Sequence, residues 1–393
     1  MATADQVSPA VTRADPAPGA RVALVHDWLT GMRGGERCLE VLCELFPMAP
    51  LFTLLHVPGS VSSVIEDRPI VTSFVQHLPG ATARYRHYLP LFPLAIRRFD
   101  LSSYDLVVSM SHCVAKGARA AAGALHLCYC FSPMRYVWDL YDDYFGRGGL
   151  AMRLAMPPVA TALRRWDRRN AGVSHFVAIS NHISDRIRRA YERPSEVIYP
   201  PVNVQRYEIA DGHDDYYLVV SALVPYKRVD LAVAAATRLG RRLVVVGTGP
   251  EEARLRALAG PTVTFLGWRS DAEVAELYAR CRALFFTAVE DFGIVPLEAA
   301  AAGRPTIALA AGGALETMVG LGTPAAPPTA VFFPEQSVDA IERAILTFEG
   351  AAEQFDPKAL RARAEAFDRP LFKQRLAEYI GRRWTEHREG RSC

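Results

Sequence analysis

The sequence predicts an α/β protein built from two doubly wound parallel sheets, and three observations carry that expectation. The 393 residues exceed one ordinary domain and fall short of three. From Arg21 onward, short β-branched and aromatic runs alternate with longer helical patterns, which implies βαβ crossovers. The same rhythm then restarts halfway along the chain, beyond a proline-rich break.

In the first half, strands are expected at 22–28, 51–55, 104–110, 125–131, 175–179 and 197–199. They are continuous apolar runs, as required of strands covered by helices on both faces. At Tyr199-Pro200-Pro201-Val202-Asn203 two prolines enforce extended backbone, and the polar stretch 211–215 precedes a fresh strand, so a linker is expected here. The second half places strands at 217–221, 243–247, 263–266, 283–287, 306–309 and 331–333. The resulting division is a disordered tail over 1–20, domains over 21–200 and 201–368, and a C-terminal helix over 369–393 packing back on the first domain. The tail is rich in Ala, Pro, Asp and Thr and lacks the apolar core of a signal peptide.

Composition excludes several classes. Half the residues are apolar and 22% are charged, the balance of a folded chain, and a formal charge of +3 with no basic run interleaved with aromatics argues against nucleic acid. Seven cysteines, at 38, 43, 113, 128, 130, 281 and 393, have no paired spacing for zinc or a disulfide framework, which suits a reducing, cytoplasmic compartment. No run reaches the roughly 18 apolar residues of a membrane span. The best candidate, near Ala151, is interrupted by Arg153, Pro157 and Pro158. Membrane contact is therefore expected to be peripheral, at the inner face of the cell membrane.

The densest chemistry lies between Glu290 and Pro305. A strand ends near Ala288, a loop carries Glu290 and Gly293, and a helix opens near Pro296. Amides at that helix start suit an anion such as a diphosphate, and Gly293 lets a ligand approach the main chain. Glu290 and Glu298 could each accept two hydroxyl protons from a sugar nucleotide. The alternative is a surface loop glutamate and a glutamate that complements the helix dipole. In Ser221-Ala222-Leu223-Val224-Pro225-Tyr226-Lys227-Arg228, between a strand and the helix starting near Val229, Lys227 is well placed to neutralise a leaving diphosphate. Gly34 and Gly35, after the first strand, could admit phosphate or sugar close to the backbone, or simply connect into the helix over 37–45.

With seven residues between them in E-D-F-G-I-V-P-L-E-A, Glu290 and Glu298 match the EX7E signature, and on this segment the chain resembles the retaining GT-B glycosyltransferases of family four. The resemblance runs from about Val22 to Trp384; with H-D-W-L-T-G-M-R-G-G-E-R at 26–37 it points to bacterial mannosyltransferases of polysaccharide and glycolipid assembly. It implies two Rossmann-like domains facing across a cleft, with Glu290 beside the donor hexose, Glu298 on the ribose hydroxyls, and the backbone of Gly293, Ile294 and Val295 at hexose and diphosphate. It implies Lys227 as a catalytic cation. The family commonly has an arginine five residues earlier, where this chain has Ala222, so the second phosphate cation must come from elsewhere; Arg228 is a candidate, an ordinary helix-start arginine the alternative. Gly247 and Gly249 would line the donor cleft, and Phe265 and Gly267 would hold the nucleobase, although the residues alone favour core packing for Phe265. His112, after the strand at 104–110, corresponds to a histidine beside the reacting sugar or to a structural one. Gly34 and Gly35 would meet the donor, Asp27 the acceptor, and Lys116 an acidic or phosphorylated acceptor.

The implied reaction is retaining, metal-independent transfer of mannose from GDP-mannose onto a glycan or glycolipid acceptor, the departing phosphate deprotonating the acceptor hydroxyl. No cofactor beyond the nucleotide sugar is expected. The segment 84–98, with Arg84, Arg86, Arg97 and Arg98 among aromatic and aliphatic groups, suits an anionic bilayer or a core helix with snorkelling arginines. Asp139, Asp142 and Asp143 resemble a metal cluster, but the tyrosines around them argue against one. A UDP-sugar transferase, an epimerase of the same architecture and a silent sugar-nucleotide-binding subunit remain alternatives. A dinucleotide-dependent dehydrogenase does not, because 22–27 is not followed by G-x-G-x-x-G.

Overall fold

The computed structural model describes residues 15–138, 150–324 and 326–390, so Asp139, Asp142, Asp143 and Cys393 lie outside the described residues. The first half forms seven parallel strands: Val22–His26 (β1), Leu51–Thr53 (β2), Ile70–Thr72 (β3), Leu106–Ser111 (β4), Leu125–Cys130 (β5), His175–Ala178 (β6) and Ser195–Val197 (β7). The second half forms six: Tyr217–Val220 (β8), Leu243–Val246 (β9), Val263–Gly267 (β10), Leu284–Phe286 (β11), Thr306–Leu309 (β12) and Ala330–Phe333 (β13). The sheet orders are β3-β2-β1-β4-β5-β6-β7 and β10-β9-β8-β11-β12-β13. Every residue of β4 and β5 is buried, which is why their sequences are apolar without alternation.

Two strands depart from the sequence reading. Three-residue β3 is too short to show a period, and as an edge strand it is only partly buried, so nothing in I-V-T announced it. The last strand of the first sheet ends at Val197 and not at Tyr199, since Pro200 and Pro201 have no N–H to give to a ladder. Residues 15–20, placed by composition in a disordered tail, are held: Ala17 is fully buried, and Trp384 Nε1 donates to the Pro18 carbonyl at 3.4 Å.

Each sheet reverses its winding once, between β1 and β4 and between β8 and β11. Ligands of open α/β sheets bind outside the carboxyl ends of strands at such switch points. The residues that follow these four strands are Asp27, His112, Lys227 and Glu290. The chain crosses between the halves twice, side by side: Val202 N–H donates to the Phe367 carbonyl at 2.9 Å and Arg369 N–H to the Val202 carbonyl at 3.0 Å. The helix Arg369–Glu389 then packs on the first half, where Arg369 and Lys373 meet Glu44 at 2.8 and 2.9 Å and Phe372 lies edge-on to Tyr129.

His126, on β5, is buried with Nε2 2.9 Å from Ser109 Oγ, and burial pulls its pKa down from 6.5 to about 4. The unfolded chain therefore binds a proton that the folded chain refuses throughout that window, and stability is lost as pH falls from 6.5 toward 4. Urea unfolding across this range is expected to show a pH slope shallower by about one proton in His126→Phe than in the native protein. An unchanged slope would place the acid sensitivity elsewhere.

Candidate functional site

Asp27 shapes the first crevice. Its fully buried carboxylate accepts the backbone N–H groups of His112, Cys113, Val114 and Ala115 at 2.7, 2.9, 2.7 and 2.8 Å, so the loop after β4 is wound around it. The ring Nδ1 of His112 lies 3.1 Å from the same carboxylate, and Trp28 stands edge-on to that ring at 4.4 Å. Burial pulls the His112 pKa down to about 4 despite the opposing charge of Asp27. At neutral pH the imidazole is uncharged, donates through Nδ1 to Asp27, and keeps Nε2 as an acceptor.

Two expectations for acceptor contacts are corrected here. Asp27 has its oxygens committed to the protein's own N–H groups and positions His112. Lys116 is 1% exposed; its ammonium contacts Asp167, donates to the Cys113 carbonyl at 3.0 Å and lies over the Tyr191 ring at 5.3 Å. Asp167 also accepts Trp138 Nε1 at 2.8 Å and the Tyr191 hydroxyl at 2.7 Å. This buried network braces the loop that carries His112 and does not reach the cleft.

In the second crevice Lys227 ends the short turn Pro225–Lys227, and its carbonyl accepts from Thr287 Oγ1 at 2.8 Å. Its ammonium contacts the Glu290 carboxylate directly. Burial and the Arg135 charge pull Lys227 down to about 7, while Asp291 opposes them. Arg228 takes left-handed backbone at φ 51° and turns its guanidinium to Asp230, at 3.1 and 3.4 Å. The sequence candidate for a second phosphate cation is thus engaged beside its own helix.

Gly293, at φ 93°, caps the helix Ile294–Ala301, a backbone that side chains rarely tolerate. Glu298 sits in the second turn, hydrogen-bonded by Tyr278 at 3.1 Å and by Tyr207, and burial raises its pKa. A Cβ at Gly247 or Gly249 would meet the carbonyls of Ser221 or Leu223 at 1.9 and 2.3 Å, so these glycines let the β8 and β9 loops pack against each other. Phe265 is partly buried against the core beneath the Arg256 guanidinium, Gly267 is left-handed at φ 70°, and Trp268 beside it is 72% exposed.

The halves meet at the same loops. A Cβ on Gly34 would lie 2.8 Å from Ile294, whereas one on Gly35 would face Phe131 and the buried ring of His26. Asp291, beside Glu290, accepts from Arg186 at 2.6 Å and from Arg135, both in the first half. Ser180 Oγ donates to the Asp291 carbonyl at 2.6 Å, and the backbone N–H groups of Asn181 and His182 hold Glu316 at 2.7 and 2.8 Å. Arg135, Arg186, Asp291, Tyr207 and Tyr278 escaped the sequence reading. Only Arg135 had a local signal, its place just past the end of a buried strand. Among the described residues no group of three or more His, Cys, Asp or Glu could hold a metal, and no helix is long and apolar enough to cross a membrane.

Residues 205–363 match the family model described as glycosyl transferases group 1. The chain is 42% identical over 95 residues to a GDP-mannose-dependent alpha-mannosyltransferase of Mycobacterium tuberculosis, covering 24% of this chain and 25% of that one. It is 32% identical over 199 residues to a GDP-mannose-dependent alpha-(1-6)-phosphatidylinositol monomannoside mannosyltransferase of the same organism, covering 42% and 50%. The matched regions thus span a quarter to a half of these relatives. The chain shares its GT-B fold with sucrose-phosphate synthase of Thermosynechococcus elongatus (TM-score 0.68, 16% identity, 93% of this chain and 100% of that one). The Anabaena HepE structure with UDP and glucose superposes similarly (TM-score 0.66, 19% identity, 92% and 99%).

The enclosure of Lys116 can be checked by Lys116→Met, which leaves Asp167 charged and buried. Unfolding free energy is expected to fall by about 3–5 kcal/mol. Unaltered stability combined with weakened acceptor use would return Lys116 to the cleft.

Proposed function

We propose that this glycosyl transferase is a retaining, metal-independent hexosyltransferase moving mannose from GDP-mannose onto a glycan or a polyprenyl- or glycolipid-linked acceptor, in cell-surface polysaccharide or glycolipid synthesis. The observation that carries the reading is the Lys227–Glu290 pair at the switch point of the second sheet, beside the glycine-capped start of the helix Ile294–Ala301. The mannosyltransferase relatives support the donor. In this reading residues 21–200 receive the acceptor and 201–368 hold the nucleotide sugar.

As the anomeric C–O bond breaks, the leaving diphosphate gains charge, which the Lys227 ammonium and the helix-start amides take up. Glu290 exchanges Lys227 for hydroxyls of the hexose, and Nε2 of neutral His112 accepts another. Glu298, oriented by Tyr207 and Tyr278, takes the ribose hydroxyls. A departing phosphate oxygen removes the acceptor hydroxyl proton, and the acceptor oxygen bonds to the anomeric carbon on the face the phosphate leaves, so configuration is kept. Rate then comes from positioning and charge stabilisation.

Arg84, Arg86, Arg97 and Arg98 are exposed, as are Leu91 and Leu94, while Tyr85, Leu89 and Phe92 turn inward. A surface of cations and leucines supports peripheral contact with an anionic cytoplasmic leaflet, at about 1 kcal/mol per basic residue.

Thermal unfolding with GDP, UDP, ADP and TDP, with and without Mg²⁺, tests the donor. The largest rise is expected with GDP, independent of magnesium; a larger rise with UDP would keep the transferase and replace its donor. Lys227→Ala is expected to lose about 1.5–3 kcal/mol of transition-state stabilisation, read from kcat/KM. An unchanged value would remove Lys227 from the reaction.

A further inference from the structure

A diphosphate ester carries charge on both phosphates, yet the loop 221–227 supplies one cation, Lys227, which Glu290 already contacts. Position 222 offers only a methyl group, and Arg228 is turned to Asp230. Two cations from the first half of the chain reach the residue next to Glu290. Arg135 opens the short helix Arg135–Trp138, just beyond β5, and reaches the Asp291 carboxylate next to Glu290. It thus joins the β5 loop of the first half to the loop that carries Glu290 in the second.

We infer that Arg135 is the second cation of the donor site, delivered by the first half of the chain, and that it exchanges Asp291 for a phosphate oxygen of the nucleotide diphosphate when donor binds. The inference rests on the proposed nucleotide-sugar donor. The two arginines on Asp291 differ in the way this exchange requires. Arg186 is 8% exposed and meets Oδ1; Arg135 is 25% exposed, the more open of the two, and meets Oδ2. When Arg135 turns to phosphate, Asp291 keeps Arg186 and is not left buried without a partner. Two arginines face the single Asp291 carboxylate, so this clasp carries a net positive charge and is biased toward an anion. A guanidinium also presents a planar fork to phosphate, which an ammonium lacks.

The test is calorimetric titration of GDP and UDP into the full chain and its variants, each first shown to unfold cooperatively. Arg135→Met is expected to weaken nucleoside diphosphate binding by at least ~10-fold, the value of one charge-assisted contact. Asp291→Asn, which removes the charge Arg135 must leave while its amide oxygen still accepts from Arg186, is expected to cost less than about 3-fold, and A222R in the Arg135→Met background to recover affinity by supplying a cation from the β8 loop. Should the methionine variant unfold, Arg135→Gln carries the same comparison, keeping a hydrogen bond to Asp291 without the charge. Native affinity in these Arg135 variants, or equal losses in Arg135→Met and Asp291→Asn, would overturn the inference and leave Arg135 a clasp. If the native chain binds no nucleoside diphosphate, the proposed function fails and the inference with it; if it binds and only the Arg135 result fails, the function stands.

Discussion

The cleft depends on one carboxylate. Asp291 belongs to the second half of the chain, but the groups that satisfy it, Arg135 and Arg186, belong to the first. A charged pair this enclosed is a poor source of net stability, because desolvation takes back most of the attraction, yet removing one partner is costly. Its effect is geometric. From below, Gly312 and Gly313 press their backbones against Glu290 and Phe292 so closely that a Cβ on either would lie within 2.4 Å of that chain, and Gly313 N–H donates to the Glu290 carbonyl. Glu290 is thus fixed between a glycine floor and an arginine clasp. A second tie, the start of the helix Asn181–Tyr191 on Glu316, uses the same logic with amides and a helix dipole in place of guanidinium groups.

The two switch points solve one problem with different chemistry. Each sheet must hold a long loop at the carboxyl end of a strand without a covalent staple. In the first half, Asp27 takes four backbone N–H groups, so its charge is dispersed over neutral donors fixed in the main chain. The loop is permanent, and His112 on it is held neutral with one nitrogen committed. In the second half the loop groups are held by ion pairs, Lys227 on Glu290 and the arginines on Asp291, which an incoming anion can reorganise because it offers the cations an equivalent partner. The first crevice is preorganised, whereas the ion pairs of the second can be exchanged.

The sequence disclosed the parts that one strand or one loop determines alone. Continuous apolar runs marked twelve strands, and a residue just past such a run in a doubly wound sheet has to lie near a crevice, which is how Asp27, His112, Lys227 and Glu290 were found. Position at a strand end, however, does not say whether a polar group faces ligand or protein. Asp27 was read as a ligand contact because its amide partners lie 85 to 88 residues away. Lys116 was misread for the same reason, since the burial around it is built from Asp167 and Tyr191 on helices with no local link to it. Arg135 and Arg186 look like any surface arginine until the second half of the chain supplies Asp291.

The ion pairs of the cleft also bear on which anion can enter. A ligand that engages Lys227 alone must separate it from Glu290 and leave that carboxylate to find a hydroxyl, so the gain from one phosphate is partly cancelled by the pair it breaks. A ligand that also carries a sugar supplies Glu290 with replacement donors, and a second phosphate can recruit a further cation whose partner, Asp291, is still held by Arg186. Each exchange is close to neutral when completed and costly when left half done. On the proposed donor, selectivity for a whole nucleotide diphosphate sugar over its fragments would follow from this pairing, because the complete ligand supplies a partner to each of Lys227, Glu290 and Arg135.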